Sequence, residues 1–142
     1  MIPIRLADLE PTFLRFETRT ESWEAVDGDP ATWRARGAPT RTVTGPREYA
    51  IRVPTLAEAQ GLRFLCPVCF QENGGPVGTH RVEVAFEGRG VAPHQGSHDR
   101  AGAPSRWGVS GLTCDDLTLT PSIDIGGGGC GWHGFVTSGL VT

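Results

Sequence analysis

The sequence lacks lysine entirely, and it lacks any long apolar run. All 13 basic residues are arginines, and 16 acidic residues bring the formal net charge to −3. Proteins that bind nucleic acid usually carry a basic face or stripe, so this charge balance argues against a nucleic-acid partner. No segment approaches the roughly 20 apolar residues of a membrane-spanning helix, and the first residues lack the layout of a signal peptide. We therefore expect no membrane association.

Common catalytic and phosphate-binding motifs are also missing. The Gly-x-Ser-x-Gly nucleophile motif does not occur, and the glycine run at 126–129 is not followed by the Lys-Ser/Thr pair of a phosphate loop. The sequence shows no internal repeat at solenoid periods. These absences favour a role other than catalysis.

Glycine and proline, in contrast, are abundant. The chain of 142 residues contains 20 glycines and 11 prolines, which favour turns and short strands over long helices. Its length predicts a single domain over residues 1–142. We expect residues 1–39 to be loosely organised, because Pro11 interrupts any helix there, and residues 62–142 to form the core. The predicted fold class is mainly β, a small antiparallel β domain.

The most regular strand signal is the segment 80–86, His-Arg-Val-Glu-Val-Ala-Phe. Its apolar and polar residues alternate, which indicates a strand with one buried face. Residues 40–53 predict two short strands around a turn at Gly45-Pro46. Further strands are predicted at 61–65, 106–110, 117–120 and 123–125, before a closing strand or hairpin at 134–141 with a turn near Ser138-Gly139. The long loop at 87–105 is of a length that is usually functional or mobile.

Two short motifs carry the main functional signal, Cys66-Pro67-Val68-Cys69 and Cys130-Gly131-Trp132-His133. Each places two metal-ligating residues three positions apart, so that a tight turn can direct both side chains to one ion. Cysteine and histidine favour zinc over magnesium or calcium. We therefore predict a structural Zn²⁺ bound by Cys66, Cys69, Cys130 and His133 in a zinc-ribbon-like pair of knuckles. Since 60 residues separate the two pairs, the ion would staple distant strands together.

His80 and Cys114 are the alternative ligands for this site. The plainer interpretation of His80 is a strand-end histidine hydrogen-bonded to a neighbour, and that of Cys114 is a small buried hydrophobe. His94, His98 and Asp99 form a further His-x-x-x-His-Asp cluster. The glycine, proline and serine around it favour a solvated loop over a helix-borne metal site.

The Cys-x-x-Cys motif at 66–69 also invites redox and deaminase interpretations. A glutaredoxin-like motif sits at the start of a helix, where the dipole lowers the thiol pKa. Residues 70–76 contain too much glycine and proline for a long helix. A zinc deaminase needs a His-x-Glu sequence upstream of its cysteines, and here the histidine follows them. Both interpretations are therefore disfavoured.

Five segments of the second half share a pattern with known proteins. They are 64–70 (FLCPVCF), 80–86 (HRVEVAF), 106–111 (RWGVSG), 117–123 (LTLTPSI) and 130–141 (CGWHGFVTSGLV). Together they resemble a family of small zinc-binding proteins of bacteriophages and prophages, which has no established activity and is often labelled as ammonia monooxygenase. The lack of apolar spans and of a histidine-rich copper site argues against that activity. The resemblance implies a zinc site, a bacteriophage origin, and a location in the host cytoplasm or the virion.

Three functions are compatible with these features. The favoured one is a phage-encoded structural-zinc protein that binds a host or virion protein, because the ligand set is of the closed type. The second is a metal-dependent hydrolase that uses the zinc or nearby histidine and aspartate residues. The third is a zinc-ribbon protein that binds nucleic acid, which the charge balance disfavours.

Overall fold

The structure is a computed structural model that describes residues 2–26, 40–126 and 130–142. Half of the described residues are in strands and about a tenth are in helices. The strands form two sheets, and every pair whose register is defined runs antiparallel. The predicted fold class, a mainly β antiparallel domain, is confirmed.

The first sheet has four strands. In spatial order they are β3 (Thr40–Val53), β2 (Thr12–Val26), β4 (Gly61–Leu65) and β5 (Arg81–Ala85). Between β4 and β5 lies a short helix, α1 (Pro67–Asn73), which ends at Gly74 in the left-handed conformation. The alternating segment 80–86 is thus a strand, as predicted.

The second sheet has five strands. In spatial order they are β1 (Ile4–Arg5), β9 (Leu140–Val141), β8 (His133–Thr137), β7 (Thr118–Asp124) and β6 (Gly108–Ser110). Single 3₁₀ turns occur at Leu6–Leu9 and Leu56–Glu58. The predicted closing hairpin is confirmed by β8 and β9, whose connection contains Ser138 at a φ of 48° and Gly139 at 78°.

The core consists of the apolar residues that alternate along the central strands. Phe64 and Val84 are fully buried on β4 and β5, and Ile123 and Val136 contribute from β7 and β8. The ring of Trp132 meets Phe64 edge-on, with centroids 6.0 Å apart and an interplanar angle of 87°. This contact anchors the segment that leads into β8.

Three expectations about strands and organisation need correction. Residues 40–53 form one strand instead of two, because β3 is the edge of its sheet and an edge strand tolerates Pro46. Residues 118–124 likewise form one strand, with a register irregularity between Leu119 and Ile123. The N-terminal segment is ordered as β1, a 3₁₀ turn and β2 through Val26, because β2 pairs with β4. Residues 27–39 of that segment lie outside the described residues.

The chain divides into two compact units. The core unit comprises Met1–Phe16 with Ala50–Thr142, and the strand-pair unit comprises Glu17–Tyr49. No helix within the described ranges is long and apolar enough to cross a membrane.

Candidate metal centre

The first two candidate ligands lie where β4 passes into α1. Cys66 is fully buried and precedes the helix, and Pro67 occupies its first position, where a fixed φ and a missing N–H cost nothing. The backbone N–H of Phe70 donates to the carbonyl of Cys66 at 2.9 Å. This turn places Cys69 beside Cys66, so the local sequence directs both thiols to one point.

The third candidate ligand, His80, is positioned by strand pairing. In the register of β4 and β5, Leu65 pairs with Arg81, so the next residue pair outward is Cys66 with His80. The backbone N–H of Cys66 donates to the carbonyl of His80 at 2.9 Å. The sheet therefore holds the imidazole beside the buried thiol.

Cys130 completes the group from the connection between β7 and β8. Its sulfur lies 3.3 Å from the Sγ of Cys66 and 3.6 Å from the Nε2 of His80. The ligand atoms of Cys66, Cys69, His80 and Cys130 all lie within 4.8 Å of one another, and this Cys₃His cluster could hold a metal ion. The cysteines are free thiols, since a disulfide would need a separation of about 2.05 Å.

The pKa values of the three neighbouring thiols are shifted in opposite directions. Burial, followed by the neighbouring thiols of Cys130 and Cys66, raises the pKa of Cys69 to about 12. Burial also raises the pKa of Cys66. For Cys130, burial acts upward as well, but hydrogen bonds from His80, Cys66 and the backbone of Trp132 outweigh it and lower the pKa to about 7. Without a cation, Cys130 therefore loses its proton most easily, whereas Cys66 and Cys69 favour the protonated thiol.

His133 is not part of this cluster, which corrects the predicted ligand set. The alternation of β8 buries Trp132 and Gly134 and exposes His133 between them. The Nε2 of His133 is instead 2.9 Å from the Oγ of Ser122. His80, the alternative ligand, occupies the fourth position. A sequence signal could have identified His80 as a ligand. If segments 61–65 and 80–86 are paired antiparallel, Cys66 comes to lie opposite His80.

The remaining candidate ligands lie away from the cluster. Cys114 is half-buried against the core, and burial raises its pKa. The Nε2 of His98 contacts the carbonyl of Pro93 at 2.7 Å, and the carboxylate of Asp99 accepts two backbone N–H groups at 2.9 Å. Within the described residues, His94, His98 and Asp99 form no metal-binding group.

The long loop at 87–105 is ordered by a partly buried cation. The guanidinium of Arg106 donates to four carbonyl oxygens at 2.7–3.2 Å, those of Ala92, Gln95, Ser97 and Ser105. Burial lowers the pKa of Arg106. The hydroxyl of Ser97 also donates to the carbonyl of Glu83 on β5 at 3.1 Å. The loop is thereby attached to the strand that follows His80.

Comparison of this chain with protein-family models, with curated proteins and with solved structures finds no match.

Proposed function

We propose that Cys66, Cys69, His80 and Cys130 bind one structural Zn²⁺ ion. The supporting observation is the convergence of three sulfurs and one imidazole nitrogen within 4.8 Å. A tetrahedral zinc ion, with bonds of about 2.0–2.3 Å, keeps its ligand atoms roughly 3.5–3.8 Å apart. The separations of 3.3 Å between Cys66 and Cys130 and of 3.6 Å between Cys130 and His80 are close to this spacing. Sulfur donors favour zinc over magnesium and calcium.

The acidities of the thiols support a cation at this position. Burial, together with proximity to other thiols, raises the pKa of Cys69, and a divalent ion opposes this effect because it stabilises coordinated thiolates. Four protein ligands would leave no open position for substrate, as in structural sites. The ion would fasten the start of α1 to the start of β5 and to the connection before β8.

Metal analysis of matched variants tests this ligand set. Purified wild type and His133→Ala should each carry about one zinc per chain, because both retain the four ligands. His80→Ala should lose the metal or bind it far more weakly, and His80→Cys should restore it as a Cys₄ site. Mass spectrometry of the native protein and elemental analysis measure the stoichiometry.

Two outcomes would contradict the proposal. One is a wild-type protein that is folded and free of metal after purification with zinc present. The other is loss of metal in His133→Ala with retention in His80→Ala. A spectroscopic finding of three protein ligands and a bound water would favour the metal-dependent hydrolase instead.

We further propose that the protein is a bacteriophage-encoded binding module for a host or virion protein. The phage origin is supported by the resemblance of the segments between residues 64 and 141. The binding role is supported by a groove of about 280 Å³ beside His80. Two strand edges line this groove, residues 81–83 of β5 and residues 123–124 of β7.

On these edges the backbone N–H groups of Arg81, Glu83 and Asp124 are free to pair with an added strand, whereas the carbonyl of Glu83 already accepts a hydrogen bond from Ser97. In an antiparallel pair, alternate residues hydrogen-bond to the partner strand and the residues between them point away from it. Because His80 bonds to Cys66, Arg81 and Glu83 direct their N–H and C=O groups away from β4. Likewise, the bond from Ile125 to Trp132 directs the backbone of Asp124 away from β8. Among the described residues, the N–H groups of Arg81, Glu83 and Asp124 have no acceptor on this side. Unpaired edges of this kind bind extended peptides by strand addition.

A proline substitution on β5 tests whether a partner binds by strand addition at this edge. Glu83→Pro removes an N–H that the β4–β5 ladder does not use, and Glu83→Gln is the control for loss of the Arg63 ion pair. In pull-downs from infected host cells, the wild type and Glu83→Gln should retain a specific partner that Glu83→Pro loses. Retention of every partner by a folded Glu83→Pro protein would refute strand addition at this edge.

A further inference from the structure

A second cavity lies on the outer face of the four-stranded sheet, and its lining is strongly basic. The cavity of about 350 Å³ is lined by Glu10, Pro11, Thr12, Arg52, Arg63 and Arg81. The three arginines come from β3, β4 and β5. Since the whole chain carries a net charge of −3, this is a local reversal of sign.

The arrangement follows from the register of the strands. Thr12 of β2 pairs with Arg63, and Arg63 pairs with Glu83. Because side chains alternate across a strand, these residues share the outer face with Arg81. The short side chain of Thr12 leaves a depression between longer neighbours, and the guanidinium groups surround it.

The acidic residues nearby neutralise these charges incompletely. The Nε and Nη2 of Arg63 both donate to one carboxylate oxygen of Glu83, at 3.2 and 2.7 Å, which leaves its Nη1 uncommitted. Arg81 approaches Glu10 only to 3.5 Å, with both side chains about half exposed. The side chain of Arg52 makes no ion pair or hydrogen bond to any described residue. The three arginines thus outnumber the two acids that approach them; an excess of convergent cations is stabilised by an added anion, and guanidinium forks match phosphate oxygens.

An adjoining cavity of about 280 Å³ indicates what the anion is attached to. It shares Pro11, Thr12 and Arg52 with the basic cavity, and Phe13, Val53 and Pro54 line the rest. Because the two cavities share three lining residues, the site has a cationic part next to a part lined by apolar residues. An inorganic anion would fill only the first of these.

From these two cavities we infer a binding site for a phosphate monoester with an apolar or aromatic body. Arg52, Arg63 and Arg81 bind the phosphate, the hydroxyl of Thr12 donates a further hydrogen bond, and the apolar part receives the organic group. This site is separate from the metal centre and goes beyond the proposed function. Its occupant is either a free organic phosphate or a phosphorylated tyrosine side chain, which share this chemistry.

Calorimetric titration of the zinc-containing protein with phenyl phosphate, inorganic phosphate and phenol tests the inference. Phenyl phosphate should bind more tightly than inorganic phosphate, phenol should not bind measurably, and added salt should weaken binding. A phosphotyrosine peptide that binds more tightly than phenyl phosphate would assign the occupant to a partner protein. Equal or weaker binding of the peptide would assign it to a free phosphate.

Two arginine variants provide the matched comparison. Arg52→Gln should weaken phenyl phosphate binding by about tenfold or more, the effect of losing a charge-assisted hydrogen bond. Arg100→Gln removes the same charge from an exposed residue outside both cavities and should leave affinity unchanged. Because Arg52 has no partner among the described residues, its variant should unfold at the wild-type temperature. Absence of phenyl phosphate binding by folded wild type, or equal weakening by both variants, would overturn the inference.

Discussion

The core unit and the strand-pair unit are each stabilised internally by a different kind of interaction. The core unit buries a continuous apolar cluster that includes Phe64 and Trp132. In the strand-pair unit, no residue of the described ranges 17–26 and 40–49 is buried. Cross-strand polar contacts connect β2 and β3 there instead, for example Thr18 with Glu48 and Ser22 with Thr44, and Arg47 stacks on a tryptophan ring.

The comparison shows that long strands do not require a buried face. A fully buried apolar side chain contributes about 1.5–3 kcal/mol, whereas a cross-strand surface pair contributes roughly 0.2–1 kcal/mol. The strand-pair unit is therefore expected to open locally at much lower cost than the core unit. Each of the following experiments tests that difference.

Metal withdrawal should have the largest effect. Structural zinc sites contribute an apparent binding free energy of about 10–16 kcal/mol in small peptides, and we expect a loss of several kcal/mol here, because the apolar core remains. Hydrogen exchange after chelation should show lost protection in β4 and β5 and little change in residues 40–49. Uniform loss across both units would contradict the comparison.

Removal of a core aromatic side chain should have the second largest effect on stability. Phe64→Ala should destabilise the protein by about 3–5 kcal/mol, because it leaves a cavity under a fully buried position. Trp23→Ala, which removes a half-exposed ring that stacks with Arg47 in the strand-pair unit, should cost no more than about 1 kcal/mol. Urea unfolding measures both, and equal losses would show that the two units are not energetically distinct.

A smaller effect is expected for the cation that orders the long loop of the core unit. Arg106→Gln removes the guanidinium donor from four carbonyl oxygens, although those of Ala92 and Ser97 keep a backbone donor, and it should cost about 1.5–3 kcal/mol. Its control is Arg100→Gln, which changes the same charge at an exposed position. Limited proteolysis should cleave residues 87–105 faster in the Arg106 variant alone. Cleavage at the same rate in both variants would show that the loop is ordered by other contacts.

The smallest effect concerns a pH-dependent contact of the strand-pair unit. Tyr49, the single tyrosine of the chain, donates a hydrogen bond to Glu21 at 2.6 Å. This bond, together with burial, raises the pKa of Tyr49 above 10. Because the folded pKa is raised, the contact stabilises the fold below pH 10 and is lost as pH rises through the folded value.

Ultraviolet titration of tyrosinate reports directly on this group. The midpoint should lie above that of a model tyrosine in the wild type and should fall towards it in Glu21→Gln. An unchanged midpoint in Glu21→Gln would mean that the hydrogen bond does not govern this titration.

The sequence predicts the core unit better than the strand-pair unit because burial leaves a pattern that exposure does not. The alternation of residues 80–86 identified β5 correctly, since Val82 and Val84 face the core. In β3, both faces are at least partly exposed, so no alternation is required, and Gly45-Pro46 resembled a turn. Pairing with β2 determines the strand there, and pairing partners are not visible in a local window.

The metal ligands show the same division between local and long-range information. Cys66 and Cys69 are fixed by one short turn, which the spacing of the motif predicted. The fourth ligand depends on the register of β5 and on the outward direction of His133, and neither is set by the spacing of Cys130 and His133. A motif that matches in spacing can therefore lose a ligand when a strand begins inside it.

The distance along the chain between the ligands imposes an order on biosynthesis. Cys66, Cys69 and His80 lie within 15 residues, whereas Cys130 lies 50 residues beyond His80 and near the end of the sequence. During translation, the first three can therefore capture an ion while most of β6 to β9 is still inside the ribosome. The last donor, Cys130, is made after β7 and directly before β8, so completion of the coordination sphere would coincide with the addition of β8 and β9 to the second sheet.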